Sequence, residues 1–247
     1  MDRLTHAELL AEISTVAVND ASMTQINALL VKIANSLQSN MYYDDVDGFT
    51  GGGDTDLDAI ETTSKAVGTK IKVNIDGFVY NYELISATSS EYAAAEPVVI
   101  VPVDYAETTN EKIWKCTDNV IPVKVVLQEA DITALKASKY QALAALGPGH
   151  YVYIAWAHAL NIFGTTAYAG EADKVIYACY DGDSTKLVEW DEAFIELASG
   201  EIFETVAGLG KEAEKNTAIM LSYDGAGEIS TGDGVMGFVL YIVVNWD

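Results

Sequence analysis

Apolar positions recur at three- and four-residue steps through residues 5–40. Leu9, Leu10, Ile13 and Val16 form one stripe; after a break at 19–22, Ile26, Leu29, Leu30, Ile33 and Leu37 form another. That period is helical, and Thr5 with Glu8 makes a capping box at its start. The stripes have few apolar partners nearby in sequence. They are expected to bury against each other, a second copy or another protein.

After residue 68 the period changes to two. Ile71, Val73 and Ile75 alternate with polar residues, and so do Phe78, Tyr80, Tyr82 and Leu84 beyond Asp76-Gly77. Two alternating runs across an Asp-Gly pair predict a β-hairpin with a type I′ turn. Further strands are expected at 97–105, 112–117 and 120–128, with Pro102 and Pro122 pointing to edges or bulges. Asp131 is expected to cap a helix that carries Ile132, Leu135, Leu143 and Leu146 inward and stops at Gly147-Pro148-Gly149. Strands are predicted again at 150–160, 174–182, 186–190, in "AFIEL" and "EIFETV" around Ser199-Gly200, at 217–223 and at 235–246. The last is apolar on both faces: Val235, Val239, Tyr241 and Val243 on one, Met236, Phe238, Leu240, Ile242, Val244 and Trp246 on the other. Such a strand is central, covered on both sides, or covered on one side by a neighbouring subunit. Short strands at close spacing predict a mainly β chain with an N-terminal helical segment: an antiparallel β-sandwich of Greek-key or jelly-roll type with one inserted helix.

Between the two periodic regions lies "DDVDGFTGGGDTDLD", residues 44–58. Aligned as a calcium loop on Gly48, it places Asp45 and Asp47 at the third and fifth positions. Tyr43 then falls at the first and Asp54 at the twelfth, where a carboxylate and a bidentate Glu are needed. Three successive glycines and mutual carboxylate repulsion favour a flexible spacer. The expected parts are thus a helical anchoring segment (1–41), an acidic Gly-rich linker (42–67) and a β-sandwich domain (68–247).

Charge narrows the partners. With 37 Asp and Glu against 14 Lys and Arg, the net charge is −23. That field repels phosphate backbones and anionic membrane surfaces, and the sequence holds no basic patch, so neither nucleic acid nor membrane is an expected partner. The N-terminal residues show no basic-then-apolar leader, which predicts synthesis in the cytoplasm. Cys116 and Cys179 sit in apolar runs outside any redox motif and are expected to be buried thiols.

The sequence offers little chemistry. His150 and His158 share a strand-like run without a nearby carboxylate or thiol to complete a metal set, and are expected in the core or an interface. "GDGVMG" (232–237) matches a dinucleotide fingerprint but precedes a strand where a helix is required, and is expected to be a turn. The acidic run 189–196 is expected to be a solvated face. No catalytic, cofactor-binding or metal-ligating residue is assigned.

The amphipathic stripe from Leu9 to Leu37, the "GFTGGGDTD" spacer and the terminal "GFVLYIVVNWD" strand form a layout that resembles virion proteins of tailed bacteriophages. The resemblance is to capsid decoration proteins and head or tail fibres. It implies a non-enzymatic structural role without cofactor, a homo-oligomer with a trimer favoured, and docking to a major capsid protein or another virion protein. It also implies location in the virion after assembly in a bacterial cytoplasm. The alternative is a carbohydrate-binding or adhesin-like sandwich that uses some of the 14 tyrosines and four tryptophans to stack on a host-surface glycan. A hydrolase would require two converging carboxylates, at least one with a raised pKa. Self-association is expected to bury either strand 235–246 or the stripe 26–37.

Overall fold

The structure, a computed structural model, describes residues 46–51, 53, 55–88, 90–210 and 214–246, together with the strand backbone of Met41–Tyr43. The predicted N-terminal helices, and Asp44, Asp45 and Asp54 of the acidic stretch, lie outside the described residues. The chain forms two compact units, 1–86 with 101–117, and 87–100 with 118–247.

The first unit is built on the predicted hairpin. β1 (Met41–Tyr43) runs parallel to β2 (Lys70–Ile75), which pairs antiparallel with β3 (Phe78–Ser86). Asp76 (φ 55°) and Gly77 (φ 82°) both take positive φ, as a type I′ turn requires. The alternation then sorts the faces: Ile71 lies opposite Tyr82 and Val73 opposite Tyr80, all buried. A later strand, Lys112–Cys116, adds to β3 and sets Trp114 against Leu84.

The described part of the acidic stretch is a hydrogen-bonded loop. Backbone bonds run from Leu57 N to Gly48 O and from Asp58 N to Phe49 O, each close to 3 Å (2.9 and 3.1 Å). Two carboxylates bond within it: Asp58 accepts from Gly51 N (3.1 Å) and Asp56 from Gly53 N (2.8 Å). Phe49 lays its ring edge-on to Tyr80 at 5.1 Å, which seats the loop on the sheet.

The second unit holds the remaining strands: β4 (Val99–Ile100), with Lys112–Cys116 counted as β5, then β6 (Ile121–Leu127), β7 (Tyr140–Leu143) and β8 (His150–Ile162). These are followed by β9 (Ile176–Tyr180), β10 (Val188–Trp190), β11 (Glu201–Ala207), β12 (Glu214–Lys215), β13 (Ile219–Tyr223) and β14 (Val235–Trp246). Strands β6 to β14 make two antiparallel sheets, in the orders β10-β9-β13-β7 and β11-β8-β14-β6, with β12 on β8. The inner faces share one core: Trp190 of one sheet meets Phe238 of the other edge-to-face at 4.7 Å, and Tyr180 Oη donates to Val152 O (2.5 Å). This is the mainly β, sandwich-like arrangement the periodicity predicts. Pro122 lies on β6, an outer strand of its sheet, as its missing N–H requires.

Three local expectations are overturned. Of the strand expected at 97–105 only Val99–Ile100 forms, and Pro102 lies in the loop after it. The helix expected from Asp131 to Leu146 is one short turn, α1 (Glu129–Thr133). Asp131 is its third residue, reaching back to cap Gln128. The chain then leaves the helix, and Tyr140–Leu143 pairs with β13. Ile132, Leu135, Leu143 and Leu146 are all buried, as expected, but through a strand and loops for the last two. Pairing to an available sheet edge overrides helix propensity here. Conversely "AFIEL", expected as a strand, forms α2 (Glu192–Ile195), capped where Asp191 accepts from Phe194 N (3.1 Å). A short apolar run does not distinguish the two.

Much of the acidity works within the fold. Long connections leave backbone N–H groups without ladder partners, and carboxylates accept from them. Glu171 accepts from Ala226 N and Gly227 N (2.9 and 2.7 Å), Glu228 from Lys136 N and Ala137 N (2.9 and 2.6 Å), and Asp233 from Thr165 N and Thr166 N (2.7 and 2.8 Å). The pKa of Glu171 is lowered by its two backbone donors, and that of Asp233 by the Thr165 hydroxyl and the two amides. For Asp224, burial raises the pKa, but the Lys186 ammonium and Val175 N outweigh it, leaving it lowered. A carboxyl whose folded pKa lies below its unfolded value stabilises fully above that unfolded value and loses the contribution as pH falls through the folded pKa. The melting temperature is therefore expected to hold down to about pH 5 and then fall steeply below about pH 4, near the unfolded carboxyl range. Thermal melts across that range check this, and a plateau reaching about pH 3 would contradict it.

Candidate functional site

The residues singled out from sequence do not converge. His6 lies outside the described residues. A register shift in the β8–β14 ladder between Tyr241 and Ile242 pairs Tyr241 with Trp156 but Ile242 with Ile154. The extra residue, Ala155, is a bulge that reverses the side-chain alternation. His150 thus faces inward, 4% exposed and stacked on Tyr92 at 4.6 Å, whereas His158 faces outward. Eight residues of spacing place two strand side chains on one face only without a bulge.

Cys116 and Cys179 are buried thiols outside any disulfide, and burial pushes the Cys179 thiol pKa up. The run 189–196 is spent locally: Asp191 caps α2, Glu192 accepts from Asp173 N, Glu196 from Gly170 N, and Glu189 pairs with Lys186 at 3.1 Å. "GDGVMG" opens no helix: Gly232 (φ 87°) to Gly234 form a loop in which Asp233 accepts from Thr165 N and Thr166 N, and Val235–Gly237 begin β14. Beside it Tyr168 donates to Gly234 O (2.7 Å), and burial, aided by Glu129 and Asp233, pushes its pKa up to about 12. Glu204 has its pKa raised by burial and by Asp191. Its cross-strand row continues through Ala159, Phe238 and Val125, and the carboxylate that acts on it, Asp191, is engaged in capping α2 through Phe194 N. Among the described residues no group of three or more His, Cys, Asp or Glu is placed to hold a metal ion, and no helix is long and apolar enough to cross a membrane.

What the fold does assemble is a face. In the β11-β8-β14-β6 sheet the side chains opposite the core form cross-strand rows. One is Phe203–Leu160–Gly237–Val126, the next Thr205–His158–Val239–Lys124, the next Ala207–Trp156–Tyr241–Pro122. Trp156 and Tyr241 stack at 4.8 Å with their planes 18° apart, and His158 stands edge-on to Tyr241 at 5.1 Å. His158 Nδ1 and Thr205 Oγ1 lie 2.8 Å apart in a hydrogen bond. Phe203 is 63% exposed, Ile162 44%, Val126 42% and Tyr153 41%. Val235, Val239 and Val243 are half-buried. The charged groups on this face are Lys124 on one outer strand, Glu201 beside Ile162 on the other, and Lys215, whose ammonium lies over the Tyr151 ring. A contiguous apolar face of this kind marks an interaction surface. The pattern of β14 foretold it; the contributions of Trp156 and Phe203 depend on strand pairings far apart in sequence.

No family model matches the chain, and no curated protein matches it. Three solved structures resemble parts of it. A chain in the acidic stable capsid structure of Helicobacter pylori bacteriophage KHP30 is 14% identical, with 53% of this chain and 95% of that chain covered, at a TM-score of 0.27. A chain in the native virion of Kashmir bee virus at acidic pH is 10% identical, with 51% and 71% covered, at 0.22. A chain in the nora virus structure is 10% identical, with 83% and 86% covered, at 0.21.

Proposed function

We propose that this chain is a non-enzymatic structural protein of a virion, decorating or projecting from a phage capsid or tail. Residues 1–41 anchor it, and the β units are displayed. The observation that supports this reading best is the outer face of the β11-β8-β14-β6 sheet: apolar and aromatic, nearly free of charge, on a chain of net charge −23. Exposing such a face costs solubility, and docking it recovers the hydrophobic free energy. The acidic remainder keeps copies and packaged nucleic acid from sticking elsewhere. Partners are other copies and a major capsid or other virion protein.

Immunogold labelling tests the reading. Antibodies against residues 118–246 are expected to decorate virions from the producing host, and a chain lacking 1–41 is expected to leave particles unlabelled. Particles that never carry the label would overturn it. A glycan-binding module is the second reading, favoured by the half-exposed Trp156–Tyr241 pair. Stacked on each other, the two rings each turn one face away from any sugar, which weakens it. Binding on a glycan array that is lost on Trp156→Ala would bring it forward.

A further inference from the structure

Gly237 stands in the middle of β14, where glycine is costly because it adds chain entropy and no packing. Its φ is not positive, so the backbone does not demand glycine. Nor is it crowded: a Cβ there would meet nothing within 4 Å. The position is a notch in the outer face, flanked across the strands by Leu160 and Val126. In the same row, two strands away, Phe203 is the outer face's most protruding apolar side chain, 63% exposed. A knob and a notch therefore lie on one row, on either side of β8.

We propose that this face packs against the same face of a second copy, about a two-fold axis running along β8, so that Phe203 of each copy seats over Gly237 of the other. The proposal rests on the reading of this face as an assembly surface and names its occupant. An axis parallel to the strands and above β8 carries β11 over β14 while keeping each row at its own height. Leu160 then meets its own symmetry mate, and the knob enters the notch twice. Sheets stacked about 10 Å apart with strands within about 30° of each other pack this way, and a two-fold contact is self-complementary by construction.

Size allows a second copy, and the low charge of this face limits the repulsion between two acidic chains. Three overlapping strands over nine residues span a planar area of about 400 Å² per copy; over both copies, and with side-chain relief, the buried surface is about 1,000 Å². That is the lower bound of a specific interface, so association is expected in the micromolar range. Two chains of net charge −23 repel over most of their surface, and this charge-poor face is where they can approach. The contact is two-fold, and so differs from the trimer that the resemblance to virion proteins implies.

Sedimentation velocity of the full chain across a concentration series tests it. The wild type is expected to shift from monomer to dimer. Gly237→Leu fills the notch, and its Cβ meets nothing within 4 Å, so it is expected to weaken dimerisation about tenfold or more with a melting temperature that does not fall. Phe203→Ala is expected to do the same, and Phe203→Ala combined with Gly237→Phe is expected to restore the dimer by exchanging knob and notch. A wild type that stays monomeric to about 1 mM, or a Gly237→Leu variant that dimerises like the wild type, overturns the proposal. Labelled virions together with a monomeric wild type would sink this interface and leave the virion role standing.

Discussion

Replacing Phe238 with alanine is expected to destabilise the second unit by about 3–5 kcal/mol, the range for deleting a fully buried aromatic side chain. Phe238 is 1% exposed and lies where the two sheets meet. Its ring touches Trp190 at 4.7 Å and Phe194 at 5.9 Å, from β10 and from α2. One cross-strand neighbour is Ala159, too small to fill the space left behind, and the other is Val125. The cavity would therefore persist, which sets the cost at the upper end of such substitutions. Phe238→Leu keeps most of the volume and is expected to lose about half as much. Urea unfolding followed by tryptophan fluorescence reads both. A loss below about 1 kcal/mol for the alanine variant would mean that the two sheets do not share this core.

Asp104→Ala is the second large effect, and it acts on the first unit. Asp104 accepts from Thr62 N (2.7 Å), Thr62 Oγ1 (2.8 Å), Thr63 N (3.0 Å) and Thr63 Oγ1 (3.0 Å). Asn110 Nδ2 donates to Thr62 Oγ1 (3.0 Å), and Lys112 Nζ donates to the carbonyls of Thr62, Thr63 and Lys65 (2.9, 3.0 and 2.7 Å). Together they close the loop before β2 onto the loop before β5. Thr62 is fully buried, so its amide would be left without a partner in the variant. With the carboxylate partly solvated, the expected loss is about 2 kcal/mol. Burial raises the Asp104 pKa, but the hydrogen bonds from Thr62 and Thr63 outweigh it and leave it lowered. The difference between wild type and variant is therefore expected to be full at pH 7 and to shrink below about pH 4, as the wild-type carboxyl protonates. Thermal melts at the two pH values measure it. Faster hydrogen exchange at Thr62 and Thr63 would place the loss at the loop, while unchanged exchange there would refute the assignment.

The parts legible from sequence are those whose pattern is local. The hairpin 70–86 needed only its alternation and Asp76-Gly77, because side-chain period and turn chemistry fix register without outside help. The two-faced apolarity of 235–246 announced a central strand with a second covered face. Elsewhere the same reasoning stopped short. "ITALKASKYQALAAL" has helical spacing and good helix formers, yet becomes a single turn and a strand because β13 offers an unpaired edge to Tyr140–Leu143. "AFIEL" runs the other way, since Asp191 caps a turn that buries Phe194 and Ile195.

Sequence by itself determined the onset of strand period near residue 68, the hairpin and its turn, the edge position of Pro122 and the apolar outer face of β14. Each follows from neighbours within a few positions, where sterics and burial act directly on the chain. Only the tertiary structure decided that Ala155 bulges and turns His150 inward and His158 outward. It alone set carboxylates on loop amides distant in sequence, and put Phe203 and Gly237 on one row. Those outcomes depend on which strand pairs with which, and pairing is settled by burial summed over the whole core, a quantity that no short stretch of residues contains.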